Sequence, residues 1–314
     1  MTQNTTNHTP GVPLDPYTDL ADTVFRFVTA VEDLLRDELA YPFSVGSDAL
    51  RDHAADEQHR GIRIKDALTG LSGSQIRAIG AQCDLHYGIA ALLPAPKVYF
   101  SPFPLARTCA VTAAKAWFIL GGATREERLQ RYLNEELDAL YRTPWDFSDP
   151  DARAEIDART VDLVAVGVTA GLRSERKQGA KDWEAPYLVR SDQGSKVKPP
   201  SETAVVRDMF EAAGLGQQSG LPYTLLSAAT HSRFQHAGVS ESIFTGRTVN
   251  GVRTTALHSS PRTTAKVTAL AAFATRIHLL ALARYANVSE ACVQDRLRDA
   301  LAEWCAIGGV SVPE

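Results

Sequence analysis

Apolar residues recur at three- and four-residue spacing along most of this chain, and that spacing predicts helices almost throughout. Between about Asp19 and Leu39, the residues Val24, Val28, Val31, Leu35 and Leu39 form one stripe, with Phe27 and Leu34 beside it. A second helix is predicted from about Ser74 to Leu93, stopping before Pro94, with Ile76, Ile79, Cys83 and Tyr87 on one face. A third runs over about 105–120, after Pro102 and Pro104, and Gly121-Gly122 supplies its stop. The fourth opens on Thr124-Arg125-Glu126-Glu127, the pattern of a capping box, in which the Thr hydroxyl and the Glu carboxylate satisfy orphan amides reciprocally. Leu129, Leu133, Leu137 and Leu140 then give it an apolar face.

Ser148-Asp149-Pro150 starts a fifth helix, since a proline in the first turn gives up an N–H that has no partner there. Ser201 opens a short sixth that stops at Gly214, and Pro222 starts a seventh that reaches about His231. Ser260-Pro261 starts a long helix to about Ala286, apolar on most faces and therefore expected at the centre. Ser289 caps a last helix with Val293, Leu297, Leu301 and Trp304 facing inward, and Gly308 ends it.

Two stretches break the helical rhythm. Residues 172–200 carry seven basic residues and end in Pro199-Pro200, and read as a long loop of the kind that is functional or disordered. At 240–258, Asn250-Gly251 sits between Arg247-Thr248-Val249 and Val252-Arg253-Thr254. Asn-Gly accepts positive φ at both central turn positions and β-branched residues flank it, so a two-stranded ribbon near 242–258 is predicted, lying against the helices. Residues 1–17, polar and with three prolines, read as a disordered tail. With no βαβ alternation and no internal repeat, the expectation is an all-α fold of one domain over 18–314 carrying one small inserted hairpin.

The chain has 314 residues, 44% of them hydrophobic, enough for a sizeable core. Its formal net charge of −4 argues against a protein that coats nucleic acid through overall charge. The four cysteines, Cys83, Cys109, Cys292 and Cys305, form no CxxC pair and lie in apolar helical contexts, as free thiols in a reducing compartment would. The start has neither a basic nor an apolar leader region, and the most apolar stretch, 265–286, is interrupted by Lys266, Arg276, His278 and Arg284. A cytoplasmic protein with no membrane contact is therefore expected.

Motifs for metal, nucleotide and nucleophile chemistry do not occur in recognisable form. No histidine has a Glu three residues before it, there is no His-Glu-x-x-His or Cys/His cluster, and no Gly-x-Ser-x-Gly elbow or phosphate-binding loop follows a strand. No metal and no cofactor is expected. The polar residues that remain as candidates are His86 and Arg107 on the second and third helices, and His231 and His236 after the seventh, as an acid–base set. Tyr223, Arg233, Arg247, Arg253 and His258 are the candidate binding residues, a guanidinium being suited to phosphate or carboxylate.

Two of these segments, the Arg107-to-Trp117 helix and the Tyr-x-x-Leu-Ser-x-x-x-His run from Tyr223 to His231, resemble a group of uncharacterised helical proteins common in actinobacteria. That group usually carries Glu four residues after the Arg, where this chain has Val111. At greater distance it is similar to the HEPN class of helical proteins, many of which are RNases in defence or toxin–antitoxin systems. The HEPN pattern, Arg then His after four to six residues, is met here by Arg253 to His258, on the predicted hairpin instead of a helix. The resemblance implies a protein acting on or binding RNA. The alternatives are a small-molecule enzyme with a pocket among the helices, and an interaction protein or homo-oligomer using the hairpin and the long loop.

Overall fold

The computed structural model describes residues 15–39, 43–52, 70–96, 98–142, 149–176, 178–181, 184–190, 200–216, 219–230, 240–249 and 252–311, with the backbone alone for strand residues 241–257. The fold is all-α. Helices α1 (Pro16–Leu34), α2 (Leu71–Leu92), α3 (Pro102–Leu120), α8 (Pro261–Ala286) and α9 (Glu290–Gly308) form the central bundle. Around it lie α4 (Arg125–Arg142), α5 (Pro150–Thr169), α6 (Glu202–Phe210) and α7 (Leu221–Thr230). Helices α6 and α7 pack on α3, while α4 carries α5 on its outer side.

Local signals set the helix ends. Asp15, Asp149, Ser201 and Ser260 each accept a backbone N–H of the first turn, the bond that relieves an orphan donor and contributes about 1 kcal/mol. Thr124 accepts from the Glu127 amide at 3.2 Å, and the Glu127 carboxylate reaches back to the Ala123 amide at 3.0 Å, one residue further than a standard capping box. Asn287 ends α8 and Gly309 ends α9, both in the left-handed region. Helices α1 and α6 each run on into a π-helical turn, Leu35–Leu39 and Glu211–Leu215.

The predicted inner faces of α1, α4 and α9 are buried: Val24, Phe27, Val28 and Val31; Leu129, Leu133 and Leu137; Val293, Leu297, Leu301 and Trp304. Helix α8 runs through the middle, against α3 and α9, and is long and apolar enough to cross a membrane. Of its most apolar window, 67% is buried inside the protein, so core packing accounts for that composition.

The predicted face of α2 is displaced. Ile79 and Cys83 are buried, but Ile76 and Tyr87 sit half-exposed at the edge, and Gln75, Gln82 and His86 point inward instead. The reason is tertiary: α8 presents Thr275 and His278 to this face, and buried amides and imidazoles need such partners.

The hairpin is present as β3 (Glu241–Val249) and β4 (Val252–His258), antiparallel, with Val249 opposite Val252 and a register shift between Phe244 and Thr248. Its two strands contact each other extensively. Residues 172–200, read from sequence as a loop, hold a second ribbon, β1 (Leu172–Glu175) paired with β2 (Tyr187–Arg190). Two polar residues of α4 hold it: Asn134 accepts from the Leu188 amide at 2.7 Å and donates to its carbonyl at 2.9 Å, while Gln130 donates to the same carbonyl at 3.0 Å. Gly167 on α5 lets the Leu188 side chain in, since a Cβ there would lie 2.6 Å from it. Four-residue strands leave too little pattern to be read from sequence.

Candidate functional site

The candidate residues divide into three places. His86 lies in the core, 1% exposed. Its Nε2 faces Thr275 Oγ1 at 3.2 Å and Cys109 Sγ at 3.4 Å, and its ring packs edge-on against Phe27 and Trp304. Burial pushes the imidazole down to about 3 and the Cys109 thiol up to about 12. Burial thus favours the neutral form of both groups. A second buried imidazole stands beside them. His278 Nε2–H donates to Gln75 Oε1 at 3.1 Å, and its Nδ1 accepts from Gln82 Nε2 at 3.0 Å. Burial lowers it to about 3 as well.

Arg107 leaves α3 in another direction, toward α6 and α7. Its guanidinium donates to the Tyr223 hydroxyl at 2.9 Å and to Glu202 at 3.2 Å, and lies 5.4 Å from the centre of the Tyr223 ring. The two segments that carry the resemblance therefore touch. Its carboxylate partner, Glu202, lies 95 residues along the chain from Arg107. Arg107 and His86 do not share a site: Cys109, which meets His86, sits on the other side of α3 from Arg107. His231, Arg233 and His236 lie outside the described residues. Arg247 and Arg253 are placed on β3 and β4 by their backbone, with Arg253 opposite Thr248. His258, at the base of β4, meets the Tyr99 ring edge-on at 6.0 Å.

Two concave features were not legible in the sequence. The smaller, of 230 Å³, lies over Trp117, Gly121, Gly122, Arg284 and Tyr285. Beneath it the buried Arg128 donates to Asp52 at 3.0 and 3.2 Å, and Tyr285 donates to the same carboxylate at 3.0 Å. These groups satisfy one another and pin residues 48–52 to α4 and α8.

The larger feature is an open groove of 530 Å³ between α1 and α2, lined by Glu32, Leu35, Arg36, Ile76, Gly80, Cys83, Asp84 and Tyr87. Its walls are mainly apolar. Phe25, 43% exposed, extends it, its ring 5.8 Å from that of Tyr87. Gly80 leaves its middle open, with no atom within 4 Å of where a Cβ would stand. Tyr87 donates to Glu32 across the groove at 2.8 Å, and that bond pushes its phenol up to about 12. Burial, helped by Glu32, pushes the Cys83 thiol up to about 12, so the groove holds no reactive nucleophile there. Among the described residues, no group of three or more His, Cys, Asp and Glu side chains could hold a metal ion.

Comparison with protein-family models, with curated proteins and with solved structures finds no match to this chain.

Proposed function

We propose that this protein is an interaction protein that seats an apolar helical segment of a partner protein in the groove between α1 and α2. The groove itself carries the reading. At 530 Å³ it falls within the range of ligand-binding clefts, it is mainly apolar, and it leaves Ile76, Tyr87 and Phe25 partly in water. From Ile76 to Tyr87 the α2 wall spans about 16 Å, three turns of helix, which suits an amphipathic helix laid lengthwise.

Action on RNA is supported less well. A phosphate-binding face needs unpaired cations; Arg107 already faces Glu202, and the side chains of Arg233, Arg247 and Arg253 lie outside the described residues. Arg128, Arg131, Arg153 and Arg207 are likewise committed to carboxylates.

The test is to fill the groove. Gly80→Trp places an indole in open space on a helix, where exchanging a glycine for a tryptophan stabilises by a few tenths of a kcal/mol. Nile red, an uncharged dye that brightens in apolar surroundings, should bind the wild-type protein and lose at least tenfold in affinity to the variant, with an unchanged melting temperature or a higher one. Equal dye binding by both proteins would refute the reading.

A further inference from the structure

We infer that the segment seated in the α1–α2 groove is a basic amphipathic helix, with a Lys or Arg placed over Tyr87 between the carboxylates of Glu32 and Asp84. This rests on the groove being a docking site and adds the chemistry of what docks. The argument begins with the charges at the groove. Glu32, Asp33, Arg36 and Asp37 follow one another on the α1 side, and Asp84 stands on the α2 side. Arg36 lines the groove as well, and its guanidinium is paired with Asp33 and Asp37. Asp37 also draws Arg296 of α9 to 3.7 Å.

That leaves Glu32 and Asp84. Among the described residues neither has an ion pair. Glu32 accepts the Tyr87 hydroxyl through Oε2, and among the described residues its Oε1 has no donor. Among the described residues the two walls therefore offer one carboxylate each without an ion pair, on either side of an apolar floor made by Leu35, Ile76 and Cys83.

An organic cation on an apolar stem matches such a place. The stem of a Lys or Arg side chain packs on apolar surface while its head meets the carboxylates, and the face of Tyr87 attracts the same charge. A helix that presents apolar residues at three- and four-residue spacing, with basic residues beside them, would satisfy floor and rim together. An acidic helix would meet Glu32 and Asp84 with like charge.

The probes are two fluorescein-labelled 18-residue peptides with the same leucine positions, one with lysines and one with glutamates on the polar face. They are titrated by anisotropy against the full-length wild type, Gly80→Trp, and a Glu32→Gln/Asp84→Asn double variant. Gln at 32 keeps an acceptor for Tyr87, and both carboxylates are exposed, so the double variant should fold; circular dichroism and Nile red binding confirm it. The lysine peptide is expected to bind the wild type at least tenfold more tightly than the glutamate peptide. Gly80→Trp should abolish binding, and the double variant should lose most of the preference while still binding Nile red. Raising the salt concentration should shrink the preference too.

Equal affinity for the two peptides would overturn the inference. So would a lysine preference that survives in the double variant, since the net charge of the whole chain would then explain it. Displacement of the lysine peptide by butylammonium at a matching affinity would make the ligand a small cation and overturn the helix. Self-association lost in Gly80→Trp would make the occupant a second copy and overturn it as well. In each of these cases Nile red binding stays sensitive to Gly80→Trp; if it does not, the docking site itself has failed.

Discussion

Two histidines buried at neutral charge make the stability of this protein fall as the solution is acidified. His86 and His278 are both fully enclosed, and burial holds each near 3 against an ordinary value of 6.5. Hydrogen bonding agrees for His278. Its Nδ1 faces the Gln82 amide nitrogen, a donor, so a second ring proton would point at another N–H. Above pH 6.5 neither the folded nor the unfolded chain protonates these rings, and their contribution to folding is complete. Between pH 6.5 and 3 the unfolded chain takes up protons that the folded chain refuses, and stability is lost.

Each pH unit in that window costs about 1.4 kcal/mol per histidine. At pH 5 the loss is about 2 kcal/mol for each, or about 4 kcal/mol for the pair, a large part of a typical total of roughly 5–15 kcal/mol. Glu136, raised by burial, works in the opposite sense, and Glu127, lowered overall through its bonds to the Ala123 amide and Arg131, adds its own loss at lower pH. The decisive quantity is therefore a difference in slope. Urea unfolding is measured at half-unit steps from pH 7.5 to 5 on the wild type, His86→Asn, His278→Gln and the double variant. Each substitution lowers stability at pH 7.5 but should flatten the pH dependence below 6.5 by about 1.4 kcal/mol per unit. Parallel curves for the wild type and the double variant would refute the reasoning, because the rings would then titrate alike in both states.

Two further outcomes follow from burial. Arg128→Met leaves the Asp52 carboxylate, 3% exposed, without its guanidinium and should cost about 3–5 kcal/mol in denaturant unfolding; a loss under about 1 kcal/mol would mean that water reaches the pair. In a native Ellman titration Cys292, half-exposed, should react first. Cys83, Cys109 and Cys305, all buried and with their thiols pushed up by burial, should wait for unfolding, so rapid reaction of more than one thiol would contradict the packing.

Among the described residues, the sequence by itself determined what depends on near neighbours. A helix N-terminus is satisfied by a side chain one to three residues away, so Asp149, Thr124, Ser201 and Ser260 mark their helices without help from the rest of the chain. The stripes of α1, α4 and α9 are read correctly because most of their large apolar residues lie on one face. The hairpin is announced by its own two-residue connection between Val249 and Val252.

Tertiary structure alone decided the rest, because the partners are far apart in the chain. The inner face of α2 is polar, and Gln75, Gln82 and His86 become tolerable in a core only beside Thr275 and His278, about 200 residues away. His86 and Arg107, candidates for one site by residue type, are separated because a helix has two sides and α3 buries one against α2 and α8. Asp52 and Arg128 find each other across 76 residues, and neither is marked locally. The α1–α2 groove is the least legible feature. Ile76 and Tyr87 read as core residues by spacing, and they stay partly in water because no described element closes over that edge of the bundle.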